Sequence, residues 1–326
     1  MKLRNVALAA AGVGAGYAIE RLTIGRAHAR ATEADLGELR LPEDVVVRRI
    51  ATDDGGDVYV VERGTGRPIV LLHGVMLSSV LWAHQLADLG DRHRVLALDH
   101  RGHGESRTGS EPWALSRLAA DLASVLIELD LRDALLVGHS MGGMVALKLA
   151  VDRPALFHER IAGLALVSTS AGPVHRLAAW KTVVDAVTPR INKSLVGVAG
   201  RLPGGLFPAN DLSYLLFRLG HGKNASPANI ELNRRMAAAT PVTVWTELMR
   251  EILAFDLRDD LSRIGVPTMV VVGSRDLLTP PSHARELIER IHGAELYVIR
   301  DAGHLPMLEK GEQLSELLEQ FATRLP

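Results

Sequence analysis

Three side chains in this sequence have the types and placement needed to attack an acyl carbonyl: Ser140, Asp276 and His304. A serine hydroxyl is a weak nucleophile near neutral pH. It needs a base within hydrogen-bond reach, and that base needs a carboxylate to orient it. Ser140 sits at the centre of Gly138-His139-Ser140-Met141-Gly142, a G-x-S-x-G pentapeptide. The apolar run Ala134–Val137 precedes it and the helix-favouring Met144–Ala150 follows. Strand, sharp turn and helix are the context in which such a pentapeptide lifts a strained serine above a sheet edge. Gly138 and Gly142 lack the Cβ atoms that would clash where strand and helix approach. A helix starting at Met141 points free N–H groups and its positive dipole end at Ser140.

The two partners stand at other strand ends. Met269–Val272 runs through Gly273-Ser274-Arg275 to Asp276, and Tyr297–Ile299 leads to Gly303-His304. The order Ser…Asp…His is the one this elbow requires. Asp256, Asp259, Asp260 and Asp301 compete for the carboxylate role, but Asp276 follows its strand at the expected offset. Of 13 histidines, His304 joins a strand end to a glycine turn and the apolar Leu305-Pro306-Met307. A fourth strand, Ile69–Leu72, ends in His73-Gly74-Val75-Met76. Its tight turn assigns the backbone N–H of Val75, with that of Met141, as donors to a developing oxyanion. Such donors contribute about 10²–10³ each in rate.

The elements that must position these groups can be read from the pattern. Val45–Ile50 and Val58–Arg63 flank the turn Asp53-Asp54-Gly55-Gly56, a hairpin signal. Beyond Pro68, short apolar strands alternate with amphipathic helices at Leu115–Leu131, 282–292 and 311–324. That alternation implies βαβ units and a mostly parallel sheet covered on both faces, with the hairpin as an antiparallel edge. Functional groups then gather beyond the carboxyl ends of the strands. Between Ala171 and Asp256 the alternation stops, and a helical, proline-punctuated stretch carries Trp180, Phe207, Tyr214, Phe217, Trp245 and Phe255. This predicts residues 45–171 and 256–326 as the sheet-bearing core, 172–255 as an inserted helical cap, and 1–44 as an apolar segment with a charged helical linker. Leu206, Phe207, Leu215, Leu216, Phe217 and Trp245 are expected to roof the site and bind substrate.

Composition excludes several classes. A net charge of −1 gives no electrostatic reason to bind nucleic acid. The absence of cysteine excludes disulfides, thiolate chemistry and Cys-ligated metal. His100-x-x-His103 lies in a glycine-rich loop with no acidic or histidine ligand at helical spacing, so no metal is expected. The loop Asp99–Ser106 is expected to be structural, with Asp99 and Arg101 tied into hydrogen bonds, and His139 to pack behind Ser140. At 4% aromatic residues, a pocket lined mainly by aliphatic side chains is expected. Residues 6–19 carry no charge, fewer than the ~20 apolar residues of a bilayer span. The run fits a secretory core with a small-x-small site at Ala27-His28-Ala29, an Ala/Gly helix lying on a membrane, or a docked Ala-rich helix. Glu20, Arg21 and Arg26 stand where an export signal is normally neutral. A cytoplasmic protein, or one attached to a membrane through residues 1–30, therefore fits better than a secreted one.

Taken together, His73-Gly74, Trp82 and Gln85, Asp99-His100-Arg101-Gly102-His103-Gly104-Glu105-Ser106, the Ser140 elbow, Asp276 and Gly303-His304 resemble the α/β-hydrolase superfamily, in its serine-esterase and lipase-like branch. The resemblance runs from about Val45 to the carboxyl end. It implies a twisted, mostly parallel sheet with helices on both faces and an inserted helical cap. It further implies cofactor-free hydrolysis of a small-molecule carboxylic ester, of short to medium uncharged acyl chain, through an acyl-enzyme. Acyl transfer, thioester cleavage and cofactor-free perhydrolysis use the same three residues on this scaffold, and a catalytically silent ligand receptor is the non-enzymatic alternative.

Overall fold

The computed structural model describes Leu36, residues 39–174 and residues 211–326. The uncharged amino-terminal run, Ala27-His28-Ala29, Trp180, Leu206 and Phe207 lie outside the described residues. Among the described residues, no helix is long and apolar enough to cross a membrane.

The strands are β1 (Val46–Ala51), β2 (Asp57–Arg63), β3 (Pro68–Leu72), β4 (Arg94–Leu98), β5 (Ala134–His139), β6 (Ile161–Val167), β7 (Thr268–Gly273) and β8 (Glu295–Ile299). They form one sheet in the order β1-β2-β4-β3-β5-β6-β7-β8. β2 runs antiparallel to both β1 and β4, and all other neighbours are parallel. This is the α/β-hydrolase arrangement that the sequence implies. Among the helices, α1 (Ala83–Leu89), α2 (Leu115–Glu128), α3 (Met141–Asp152) and α4 (Pro154–Arg160) precede β6. α5 (Asp211–Arg218), α6 (Pro227–Ala239) and α7 (Val242–Ala254) stand between β6 and β7. α8 (Pro281–Arg290), α9 (Pro306–Glu309) and α10 (Gly311–Arg324) complete the chain.

Alternation along the strands divides the core into two layers. Val70, Leu72 and Leu136 pack toward α2, α3 and α8, while Ile69, Leu71 and Val137 pack toward α1 and α10. Both faces are covered, which is why the central strands read as continuous apolar runs rather than alternating ones. Helix α2 ends earlier than its apolar period suggests, because Asp130 turns into the left-handed region at φ 40°.

Register brings the chemistry to one edge. Leu72 pairs with Gly138, His139 with Val167, Val167 with Val271, and Gly273 with Ile299. The carboxyl ends of β3, β5, β7 and β8 therefore lie along one rim. Strand order reverses between β3 and β5, the switch point at which open α/β sheets form their crevice.

Candidate active site

Ser140 links β5 to α3 at φ 52° and ψ −118°, a conformation that side-chain-bearing residues rarely adopt. Its backbone is held on every side. Ser140 N–H donates to Val167 O at 3.0 Å. Its carbonyl accepts from Thr169 Oγ1 at 2.7 Å, Gly143 N at 3.0 Å and Met144 N at 3.2 Å. Close packing leaves no room for side chains beside it. A Cβ on Gly138 would come within 2.6 Å of Gly143 N, and one on Gly142 would strike the Leu72 and His73 backbone. Gly142 is thus required by the neighbouring strand, and Gly138 by the strand–helix contact.

Asp276 is buried in the loop after β7 and accepts four hydrogen bonds. Leu278 N and Thr279 N reach Oδ1 at 2.9 Å each, and Thr279 Oγ1 and His304 Nδ1 reach Oδ2 at 2.9 Å each. Burial alone would raise its pKa, but the His304 charge and these donors outweigh it and hold the carboxyl below the ordinary aspartate range. The carboxylate therefore fixes His304 with Nδ1 protonated and Nε2 free. His304 is pinned from behind as well, since His139 Nε2–H donates to its carbonyl at 2.9 Å. The two rings lie 4.9 Å apart, so His139 braces the histidine loop in addition to packing beside Ser140. The rival carboxylates point elsewhere: Asp301 pairs with Arg275 and Asp256 with Arg258.

Ser140 and His304 border one cavity of about 360 Å³. The Ser140 hydroxyl is engaged by no described residue, and hydroxyl–imidazole contacts of this kind commonly close only around substrate. Val75 also lines the cavity, on the loop after β3, and Met141 is the first residue of α3, where N–H groups lack intrahelical acceptors. Met76, at φ 61°, turns its own N–H away to His103 Nε2 at 3.1 Å.

The cavity wall is apolar. Leu216, Phe217 and Trp245 line it, joined by Met144, Val174, Met249, Ile252, Leu277 and Leu278. Leu215 does not: it is 41% exposed. Helical residues project about 100° apart: Leu216 and Phe217 on α5 fall on the arc that faces the cavity, and Leu215, one step further round, turns to solvent. Among the described residues, no Asp, Glu, Lys or Arg lines the cavity, and its polar groups beyond Ser140 and the histidines are Thr279 and Asn233.

The histidines beneath the site are occupied structurally. His73 Nε2 accepts from His100 N at 2.9 Å, and His103 Nε2 accepts from Met76 N. Burial pulls His73 down to about 4 and His103 to about 3, so both are neutral at pH 7. Their acceptor lone pairs face backbone N–H groups and not a metal ion. Asp99 binds Ser79 N and Glu105 N, while Arg101 spans Asp54 and Asp121. Among the described residues, no group of three or more His, Asp or Glu side chains converges as a metal site.

Comparison with known proteins agrees with this fold. A family model described as alpha/beta hydrolase fold matches residues 67–311. The chain is 28% identical over 287 residues to the AB hydrolase superfamily protein YisY of Bacillus subtilis strain 168, covering 84% of this chain and 98% of that protein. It is 30% identical over 240 residues to the putative carbamate hydrolase RutD of Caulobacter sp. strain K31, covering 72% of this chain and 83% of that protein. A solved esterase from Thermogutta terrifontis superposes with a TM-score of 0.71 at 28% identity, over 86% of this chain and 98% of the esterase.

Proposed function

Because this chain belongs to the α/β-hydrolase family, we propose that it is a serine hydrolase that cleaves uncharged carboxylic esters through an acyl-enzyme. The observation that carries the reading is the 2.9 Å contact between His304 Nδ1 and a buried Asp276, with His304 facing the same apolar cavity as Ser140. Esterase neighbours such as the Thermogutta enzyme support ester hydrolysis in general.

In this reaction His304 Nε2 takes the Ser140 proton as the oxygen attacks the acyl carbon. Asp276 holds the tautomer and stabilises the imidazolium. The N–H groups of Val75 and Met141 bind the tetrahedral oxyanion, and His304 then protonates the leaving alcohol. Water activated by the same imidazole releases the acid and restores Ser140. Every proton is carried by His304, so no cofactor is needed.

The wall favours an acyl chain of short to medium length without charge, since an ionised group would be desolvated there with no partner. Residues 172–255 act as the cap, whose described part contributes Val174, Leu216, Phe217, Trp245, Met249 and Ile252 to this wall. Asn233 is the exception, an amide on the cavity wall that suits one polar group on the bound ester. A graded series of p-nitrophenyl esters tests the reading. Turnover that peaks between acetate and octanoate and is abolished in Ser140→Ala is expected; no turnover of any ester by folded protein would overturn it. Adding an alcohol or hydrogen peroxide separates hydrolysis from transfer, and hydrolysis predicts that acid remains the main product.

A further inference from the structure

One carboxylate next to the site is left unused by this chemistry. Glu309, half-buried at the end of α9, accepts three backbone N–H groups: Gly222 on Oε2 at 2.6 Å, and Gly303 at 3.0 Å and Leu305 at 3.4 Å on Oε1. Gly303 and Leu305 flank His304. Gly222 belongs to the turn that follows α5; Leu216 and Phe217 of that helix and Leu219 and Gly220 of the turn line the cavity. A second link joins the same two segments, from His304 N–H to Gly220 O at 2.8 Å. They meet backbone to backbone: a Cβ on Gly303 would lie 2.5 Å from Gly222 N, and one on Gly222 would run into Asp301 O. Burial raises the Glu309 pKa above the ordinary glutamate range, but the three N–H donors and the nearby Arg218 favour the charged form. A carboxylate is the side chain that can accept from both segments at once.

We propose that Glu309 is a positioning residue that fastens the turn Gly220–Gly222 to the His304 loop, so that the wall gripping the acyl chain and the imidazole acting on the ester keep one register. The proposal rests on the ester-hydrolase reading. A long acyl chain presses on Phe217 and Leu219 and thereby loads the turn; an acetyl group does not reach far enough to do so. The link therefore matters more as the chain lengthens.

Glu309→Gln separates the two halves of the staple. The amide oxygen is retained by Gly303 and Leu305, because the flipped amide would face two N–H donors with its own NH₂. That leaves NH₂ against Gly222 N–H, donor to donor, and the cap side is released. Hydrogen exchange on the full-length protein reads this directly. The Gly222 amide should exchange about tenfold faster or more in Glu309→Gln with Gly303 still protected, and both should exchange faster in Glu309→Ala. In kinetics, kcat/KM for p-nitrophenyl hexanoate should fall about tenfold further than for the acetate in Glu309→Gln. Unchanged Gly222 exchange overturns the staple, and an unchanged hexanoate-to-acetate ratio overturns the coupling even if both rates drop. Wild-type protein that turns over neither ester would instead fail the hydrolase reading, and the register claim with it.

Discussion

Replacing Asp276 by asparagine probes the relay with little disturbance of shape. The four donors aimed at this carboxylate determine how the amide will sit. Leu278 N–H and Thr279 N–H both point at Oδ1, and neither backbone group can turn away. The amide oxygen must therefore take that place, and NH₂ faces Thr279 Oγ1 and His304 Nδ1. The Thr279 hydroxyl can rotate to accept, so the fold loses little. His304 cannot adapt without cost: to accept from NH₂ its Nδ1 must lose its proton, which moves to Nε2. The nitrogen required as base toward Ser140 then carries a hydrogen and can no longer take its proton, and the imidazolium loses its counter-charge. Such a tautomer inversion lowers kcat by about 10⁴, roughly 5 kcal/mol of transition-state stabilisation. The assay is kcat on the best p-nitrophenyl ester, with thermal melting as the control for folding. A folded Asp276→Asn protein within tenfold of wild-type kcat would refute the argument and return the role to another carboxylate.

Two further predictions concern stability. His73, His103 and His221 are buried neutral, with burial holding them at about 4, 3 and 4, whereas unfolded histidine titrates near 6.5. Below about pH 6.5 the unfolded chain binds protons that the folded protein refuses, so stability should fall by about 1 kcal/mol per pH unit for each histidine until the folded pKa is reached. Urea unfolding at pH 7, 5.5 and 4.5 measures this, and a flat profile would mean that these rings are not neutral by burial. Gly142→Ala should cost about 1–3 kcal/mol as an overpacked contact, because its Cβ meets the Leu72 and His73 backbone. A variant as stable and active as wild type would show that β3 and α3 can part without loss.

The main features were legible because they depend on local order. Apolar runs ending in Gly138, Gly273 and Gly74 locate three strand ends, and a parallel sheet must bring those ends to one rim. What the sequence concealed depends on contacts between distant segments. Thr279 binds both Asp276 and His304, yet a threonine three residues after an aspartate is unremarkable in sequence. Glu309 lies beyond the histidine motif and is recruited only when Gly222, 87 positions earlier, folds against it. The order of β4 and β3 within the sheet likewise has no signal in strand composition. Leu215 shows the same limit: Leu215, Leu216 and Phe217 are all apolar, and which two of the three face the cavity is settled by how α5 rolls onto its neighbours.

The central claim is that Ser140 is the nucleophile, and intact-mass analysis after exposure to a fluorophosphonate tests it most directly. The account predicts one adduct per chain, mapped to Ser140, absent in Ser140→Ala and much slower to form in Asp276→Asn. Folded wild-type protein that stays unlabelled at Ser140, or Ser140→Ala protein that still hydrolyses esters at the wild-type rate, would contradict it.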